Sequence, residues 1–263
     1  MKSALSLRGV TVSIIRRMVS ALRLNKFIAD SGLCSRREAD ALITAGQVRV
    51  NGAVAGLGTA VNEGDEVLVK GRRINTRRKQ VYIALHKPVG VTCTTDRRDP
   101  TNIIDFIRHP ARIFPIGRLD KDSEGLILLT THGDIVNEIL RVEHHHEKEY
   151  EVTVDRPVTP EFISGMAAGV PILGTRTRPC EVFKTDRQRF RIILTQGLNR
   201  QIRRMCEHFG FEVQRLRRVR IINIKLGTLK PGHWRDLSAE ELAGLLPQRQ
   251  LRAAPQARPS RRR

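Results

Sequence analysis

Residues 117–125, "GRLDKDSEG", set Asp120, Asp122 and Glu124 among Arg118 and Lys121, directly before the apolar run "LILLTT". Three chemistries fit such a stretch. The carboxylates could offer hard oxygen ligands to Mg²⁺, although the interleaved cations would repel the metal. Asp and Gly are also ordinary turn residues, so a charged surface turn fits equally well. The third reading is a carboxylate nucleophile, which needs an ionised Asp held near a fixed cation inside a cleft. What separates them is whether another element delivers that cation.

One segment is suited to do so. In "GLNRQIRRMCEHFG", Asn199 is a good N-cap and Gly210 a terminator, with Ile202, Met205, Cys206 and Phe209 forming a buried stripe. At about 100° per residue, Arg200 and Arg204 point away from that stripe and Arg203 flanks it. Arg203 is therefore expected to be half buried and to want a carboxylate; spacing alone does not say which one. In "HEKEYEVTVD" the alternation puts Tyr150, Val152 and Val154 on one strand face and Glu149, Glu151 and Thr153 on the other. An inward Tyr150 is either a core ring with a satisfied hydroxyl or a platform under a base. The preceding run His144–His146 lies on an extended segment, where three adjacent imidazoles cannot converge on one ion, so no metal site is expected there.

The elements around these residues fall into two groups. "LNKFIADSG" carries Leu24, Phe27, Ile28 and Ser31 at helical spacing and stops at Gly32. In "SRREADALITAG", Ser35 and Glu38 form a capping box before a stripe of Ala39, Leu42 and Ile43. "QVRVNG" is a strand entering an Asn51-Gly52 turn, and "AVNEGDEVLVKG" is another strand. Arg36 and Arg37 lie in the first turn of the second helix, where the macrodipole disfavours each cation by about 0.3–1 kcal/mol. Phosphate contact or a solvated helix end are the two readings of their position. The whole pattern from residue 23 to 71 resembles the S4 RNA-binding domain, which favours phosphate contact.

After a basic linker at residues 72–80, a second region opens with the strand and turn of "VYIALHKPVGV". Strand-like runs follow at "GLILLT", "YEVTVD" and "FRIILTQ", and helical patterns at "DIVNEILR", "TPEFISGMAAG", "NRQIRRMCEHFG" and "SAEELAGLL". They alternate irregularly. The expectation is an α+β chain: a small S4-type helix-helix-strand domain over 21–75, then a domain over 80–247 with a mainly antiparallel or mixed sheet flanked by helices.

Composition narrows the partner. Lys and Arg number 47 against 27 Asp and Glu, a net charge of +20, and ten of those cations lie in residues 1–20 and 247–263, which hold no acid. The body is therefore basic too, as a polyanion-binding protein requires. Aromatics make up only 4%, too few to stack many successive bases. Cys34, Cys93, Cys180 and Cys206 form no CxxC pair, which argues against a zinc module or disulfide framework and fits a reducing cytoplasm. No run approaches the roughly 18 apolar residues that span a bilayer. Residues 1–20 read as a disordered basic extension, with a transit peptide or a true start at Met18 as alternatives. Residues 248–263 read as a disordered Arg-rich tail that adds salt-sensitive affinity for RNA.

Several motifs in order, "FPIGRLDKDSEGLILLTTHGD", "EKEYEVTV", "GVPILGT", "QGLNRQIRRMCEHFG" and "LRRVRI", resemble the RsuA/RluF-type pseudouridine synthases over about residues 23–246. That resemblance implies an enzyme that isomerises single uridines in ribosomal RNA and requires no cofactor or metal, since the reaction consumes neither water nor redox equivalents. It implies Asp120 as the catalytic aspartate and Arg118 as a residue holding the displaced RNA. Tyr150 matches the tyrosine that stacks on the target base, Arg203 the basic residue that pairs with the aspartate, and Leu216 an apolar residue of the uracil pocket. Asn199 and Arg200 are expected to contact substrate, and Arg36 and Arg37 to bind RNA. A monomer acting on 23S-type rRNA, with a tRNA as a secondary substrate, is the implied partner set. A catalytically silent RNA-binding protein and a metal-dependent nuclease are the competing classes.

Overall fold

The computed structural model describes residues 21–75, 80–140 and 146–245. The expected basic extension at 1–20, the tail at 248–263, and His144 and His145 lie outside the described residues. The chain divides into two compact units at residues 78/79.

In the first unit, helices Leu24–Asp30 and Arg36–Thr44 pack over short strands. The capping box forms as expected: Ser35 Oγ accepts from the Glu38 backbone N–H, and the Glu38 carboxylate accepts from Ser35 N–H. Leu24, Ile28, Ala39, Ile43, Val48, Val61, Val67 and Val69 close the core. Asn51 and Gly52 both take positive φ, 49° and 84°, the backbone that a two-residue hairpin turn demands. The single strand expected over "AVNEGDEVLVKG" is instead two. Ala60–Val61 pairs with Leu22–Arg23, and Val67–Val69 pairs with Val48–Val50. The break is a turn in which the Asp65 carboxylate accepts from Asn62 N–H. The linker is also shorter than expected, because Arg72–Arg73 pairs with Val69 and Leu68 as an edge strand.

The second unit is built on a nine-stranded sheet. Its main path runs Glu181–Asp186, Arg189–Leu194, Lys148–Val154, Val213–Ile221, Glu124–Thr130, Tyr82–Lys87 and Trp234–Asp236. Every pairing is antiparallel except Val213–Ile221 against Glu124–Thr130. The fold class is α+β. The central strands are buried on both faces: Ile83, Leu85, Ile127 and Leu129 join one apolar cluster, and Tyr82, Ala84, Leu126 and Leu128 the other. Two-sided burial explains why "GLILLT" is continuously apolar rather than alternating. Helices Pro160–Ala167 and Gln201–His208 contribute Phe162, Met166, Ile202, Met205 and Cys206 to the first cluster.

Several elements, among them the strands Phe114–Ile116, Glu181–Asp186 and Trp234–Asp236, were not anticipated. The strand Val213–Ile221 carries Arg215, Arg217, Arg218 and Arg220, which hide its apolar alternation. Three of those are matched across the sheet, Arg215 to Glu124, Arg217 to Glu151 and Arg220 to Glu149. The five-residue helix Ile103–Ile107, capped by the Asn102 side chain, is another. All four cysteines are free thiols.

Candidate active site

The loop carrying Asp120 links the strands Phe114–Ile116 and Glu124–Thr130. Gly117 turns the chain into it with φ 79°, and a backbone bond from Ser123 N–H to Asp120 O closes it. A neighbouring turn braces it from behind. Gly90 N–H donates to Lys121 O, and Lys87, fully buried, donates from Nζ to Pro88 O at 2.8 Å and Val91 O at 2.9 Å. Burial pushes the Lys87 ammonium below the usual lysine range. Lys87 was not singled out in the sequence, although a lysine closing the buried run "VYIALH" was the available signal.

The three carboxylates of the opening stretch do not converge. Glu124 is taken by Arg215. Asp122 receives both arginines of the neighbouring helix start: Arg200 forks onto it at 3.2 and 2.9 Å, and Arg203 Nε stands 3.3 Å away. Asp120 faces a cleft of about 490 Å³. Its side chain is 33% exposed, and Arg200 is its ion-pair partner at 4.0 Å. Among the described residues, no three His, Cys, Asp or Glu side chains gather as metal ligands would.

The expected pairing of Arg203 with Asp120 is therefore corrected. Arg203 is half-buried, as the helical wheel requires, but its Nη1 donates to Val213 O and its Nη2 to Asp122 O. Those anchors hold the guanidinium behind the loop, where the Asp120–Ser123 turn presents Asp122. Asn199 is likewise not the N-cap. Arg200 occupies that position in left-handed conformation, φ 50°, without a side-chain cap bond. The Gln201 side chain turns back onto the preceding loop, accepting from Leu198 N–H at 3.0 Å. Asn199 is exposed at the cleft and accepts from Arg204 through its backbone O.

The remaining expected residues meet in the cleft. Tyr150 and Leu216, both buried, line it together with Asp120, Arg118, Asn199 and Arg200. Tyr150 and Leu216 come from adjacent strands, where Leu216 opposes Val152. Arg118 is exposed and also lines a second cavity beside Asp120, toward Gly90 and Cys93. In the first unit, Arg36 and Arg37 are exposed in the first helical turn.

Burial raises the Asp122 carboxyl, but the Arg200 bond and the Arg203 charge outweigh it and leave the group below the ordinary carboxylate range. A depressed pKa contributes stability above the unfolded value near 3.9 and loses it as pH falls through the folded value. The tie is thus intact at neutrality. Asp122→Asn is expected to cost no more than about 1 kcal/mol of stability, since the group is largely solvated. Turnover should nevertheless fall by about 10- to 100-fold through a misplaced loop. Thermal melts and single-turnover rates on one preparation check both; a rate equal to wild type contradicts the positioning role.

An apolar floor with one phenol ring, a carboxylate at the mouth and arginines around the rim define a site able to take a single base from a polyanion and act on its sugar. A family model described as RNA pseudouridylate synthase matches residues 81–208, and one described as S4 domain matches residues 22–67. The chain is 58% identical over 228 residues to the dual-specificity RNA pseudouridine synthase RluF of Escherichia coli (strain K12), covering 86% of this chain and 79% of that one. It is 34% identical over 232 residues to the ribosomal large subunit pseudouridine synthase B of Bacillus subtilis, covering 85% and 95%. A crystal structure of a pseudouridylate synthase matches at TM-score 0.64 and 30% identity, over 86% of this chain and 100% of that chain. The chain belongs to the RNA pseudouridylate synthase family. It is an isomerase, a pseudouridine synthase with an S4 domain.

Proposed function

We propose that this synthase converts a specific uridine of ribosomal RNA, in the 23S rRNA, to pseudouridine, with Asp120 as its catalytic carboxylate. The observation that carries this reading is the cleft itself, which joins Asp120 to the buried Tyr150 and Leu216. The names of the relatives support the RNA class: one is a large-subunit rRNA synthase and another is dual-specific. A tRNA is accordingly the proposed secondary substrate. The protein acts as a monomer, in the cytoplasm, and uses no cofactor; among the described residues no helix is long and apolar enough to cross a membrane.

The reaction breaks N1–C1′, turns the uracil and joins C5 to C1′. A stacked base is out of reach, so the nucleotide is extruded at a cost of a few kcal/mol, offset by phosphate contacts and by stacking on Tyr150. Ionised Asp120 then either adds to C1′ or removes the 2′ proton. Arg200, rather than Arg203, is the cation beside it. Arg203 acts through the loop by holding Asp122. Residues 21–75 form the RNA-binding domain and 80–247 the catalytic domain.

Mapping pseudouridines in cellular RNA with and without the protein tests the substrate. One 23S position should revert to uridine in its absence; an unchanged 23S map contradicts the assignment. For the S4 domain, Arg36→Ala with Arg37→Ala should reduce the slope of log affinity against log salt by about 2. The rate at saturating RNA should stay at the wild-type value. An unchanged slope would make both arginines a solvated helix end.

A further inference from the structure

The strands that build the cleft treat charge differently on their two faces. On the outer face, Glu149 is paired with Arg220 and Arg191, and Glu151 with Arg217. On the cleft face, Lys148 shares the side of Tyr150 and Val152 by strand alternation, and Arg218 stands directly across from Tyr150. Both cations line the cleft. Among the described residues, no carboxylate forms an ion pair with either.

Arg218 is only 4% exposed. Its Nε donates to Leu126 O at 2.7 Å and its Nη1 to Arg118 O at 3.3 Å, which fixes the plane of the guanidinium. Nη2 is buried with no hydrogen-bond partner. Lys148 Nζ donates to His146 O at 3.0 Å, leaving two of its three donors unspent. Burial, followed by the charge of Arg218, pushes this ammonium below the ordinary lysine range. Two desolvated cations side by side without a counter-ion are costly in the free protein. Such donors become favourable once negative charge develops between them.

We propose that Lys148 and Arg218 bind the departing uracil and stabilise the negative charge that builds on it when the glycosidic bond breaks. This rests on the reading of Asp120 above. The N1–C1′ bonding pair leaves with the base and spreads over N1, O2 and O4. C1′ is satisfied either by a bond to Asp120 or by a double bond to C2′ once the 2′ proton has moved to that carboxylate. When C5 joins C1′, a pair from the base anion forms the new bond, Asp120 departs or the 2′ proton returns, C5 loses its proton and N1 gains one. The sum is an isomerisation. Fixed donors aimed at charge that exists only late in the reaction act on rate rather than on binding.

The test compares uridine with 5-fluorouridine at the target position, because fluorine withdraws electrons and stabilises the base anion without help. Single-turnover loss of the parent nucleoside is read from nuclease digests, and affinity from filter binding. Lys148→Met should slow the uridine substrate by about 10²- to 10³-fold, the usual loss for one such donor. It should slow the fluorinated substrate at least tenfold less and leave affinity unchanged. Lys148→Arg, which keeps the charge, should recover most of the uridine rate, and Arg218→Lys, which keeps the charge but loses the fixed Nη2 donor, should show the same substrate dependence as Lys148→Met to a smaller extent. Equal slowing of both substrates overturns the proposal in favour of a packing role, and a matching loss of affinity overturns it in favour of a phosphate anchor. Asp120→Asn serves as the control. If that variant reacts normally, the reading of the active site has failed; if it is inert while Lys148→Met slows both substrates alike, only the present inference has.

Discussion

Asp120→Asn abolishes isomerisation, with a loss of about 10⁴-fold or more in single-turnover rate and RNA affinity within about twofold of wild type. The amide has the shape of the carboxylate but neither its charge nor its basicity, so it can neither add to C1′ nor accept a 2′ proton. Its neighbours change little, because the ties that hold the loop run through Asp122 and not through Asp120. Tritium release from RNA labelled at uridine C5 measures the rate. A residual rate within tenfold of wild type would remove Asp120 from the chemistry.

Gly125→Ala should unfold the catalytic unit at much lower temperature. Gly125 opposes Arg218 in the parallel pairing, with φ 111°, and an added Cβ would stand 2.3 Å from Arg218 O and 2.6 Å from Arg218 N. Backbone cannot swing aside as a side chain does, so the strands must part. Overpacking of this kind costs about 1–3 kcal/mol or more, and an L-residue at positive φ adds about 1–2 kcal/mol. The melting temperature is expected to fall by about 10 °C. Gly133→Ala is the control, since its added methyl meets Phe114 at an ordinary 3.8 Å. Equal melting temperatures for the two variants would contradict the register at Gly125.

Much of this site was legible as residue types on periodic elements. The alternation of "EKEYEVTV" turned Tyr150 inward, and the wheel of "NRQIRRMC" made Arg203 half-buried. The wheel reports how deep a side chain lies but not which of two carboxylates two residues apart receives it. That choice was made by Val213 O, an anchor contributed by a strand whose arginines masked it. Arg200 in left-handed conformation carries no local signature, because its partners there, Asp122 and Asp120, are about 80 residues away in the chain. Lys148 was within reach: one more step of the same alternation puts it beside Tyr150. Its partner Arg218 was not, since its burial depends on pairing across the sheet with Tyr150 and Gly125.

The first unit was the more readable of the two because its signals are local. A capping box and an Asn-Gly turn each act within four residues. The split of "AVNEGDEVLVKG" into two strands depends on which distant partner each half meets, Leu22–Arg23 or Val48–Val50, and no periodicity within the segment encodes that.

In the proposed reaction, one extruded uridine enters the cleft between Asp120 and Tyr150. A structure of the protein with an rRNA stem-loop bearing 5-fluorouridine at the mapped position tests it most directly. The expected result is a pyrimidine ring stacked on Tyr150 against Leu216, with the ribose C1′ beside the Asp120 carboxylate. A target nucleotide still stacked in its helix, or bound elsewhere with the cleft holding no base, would contradict it.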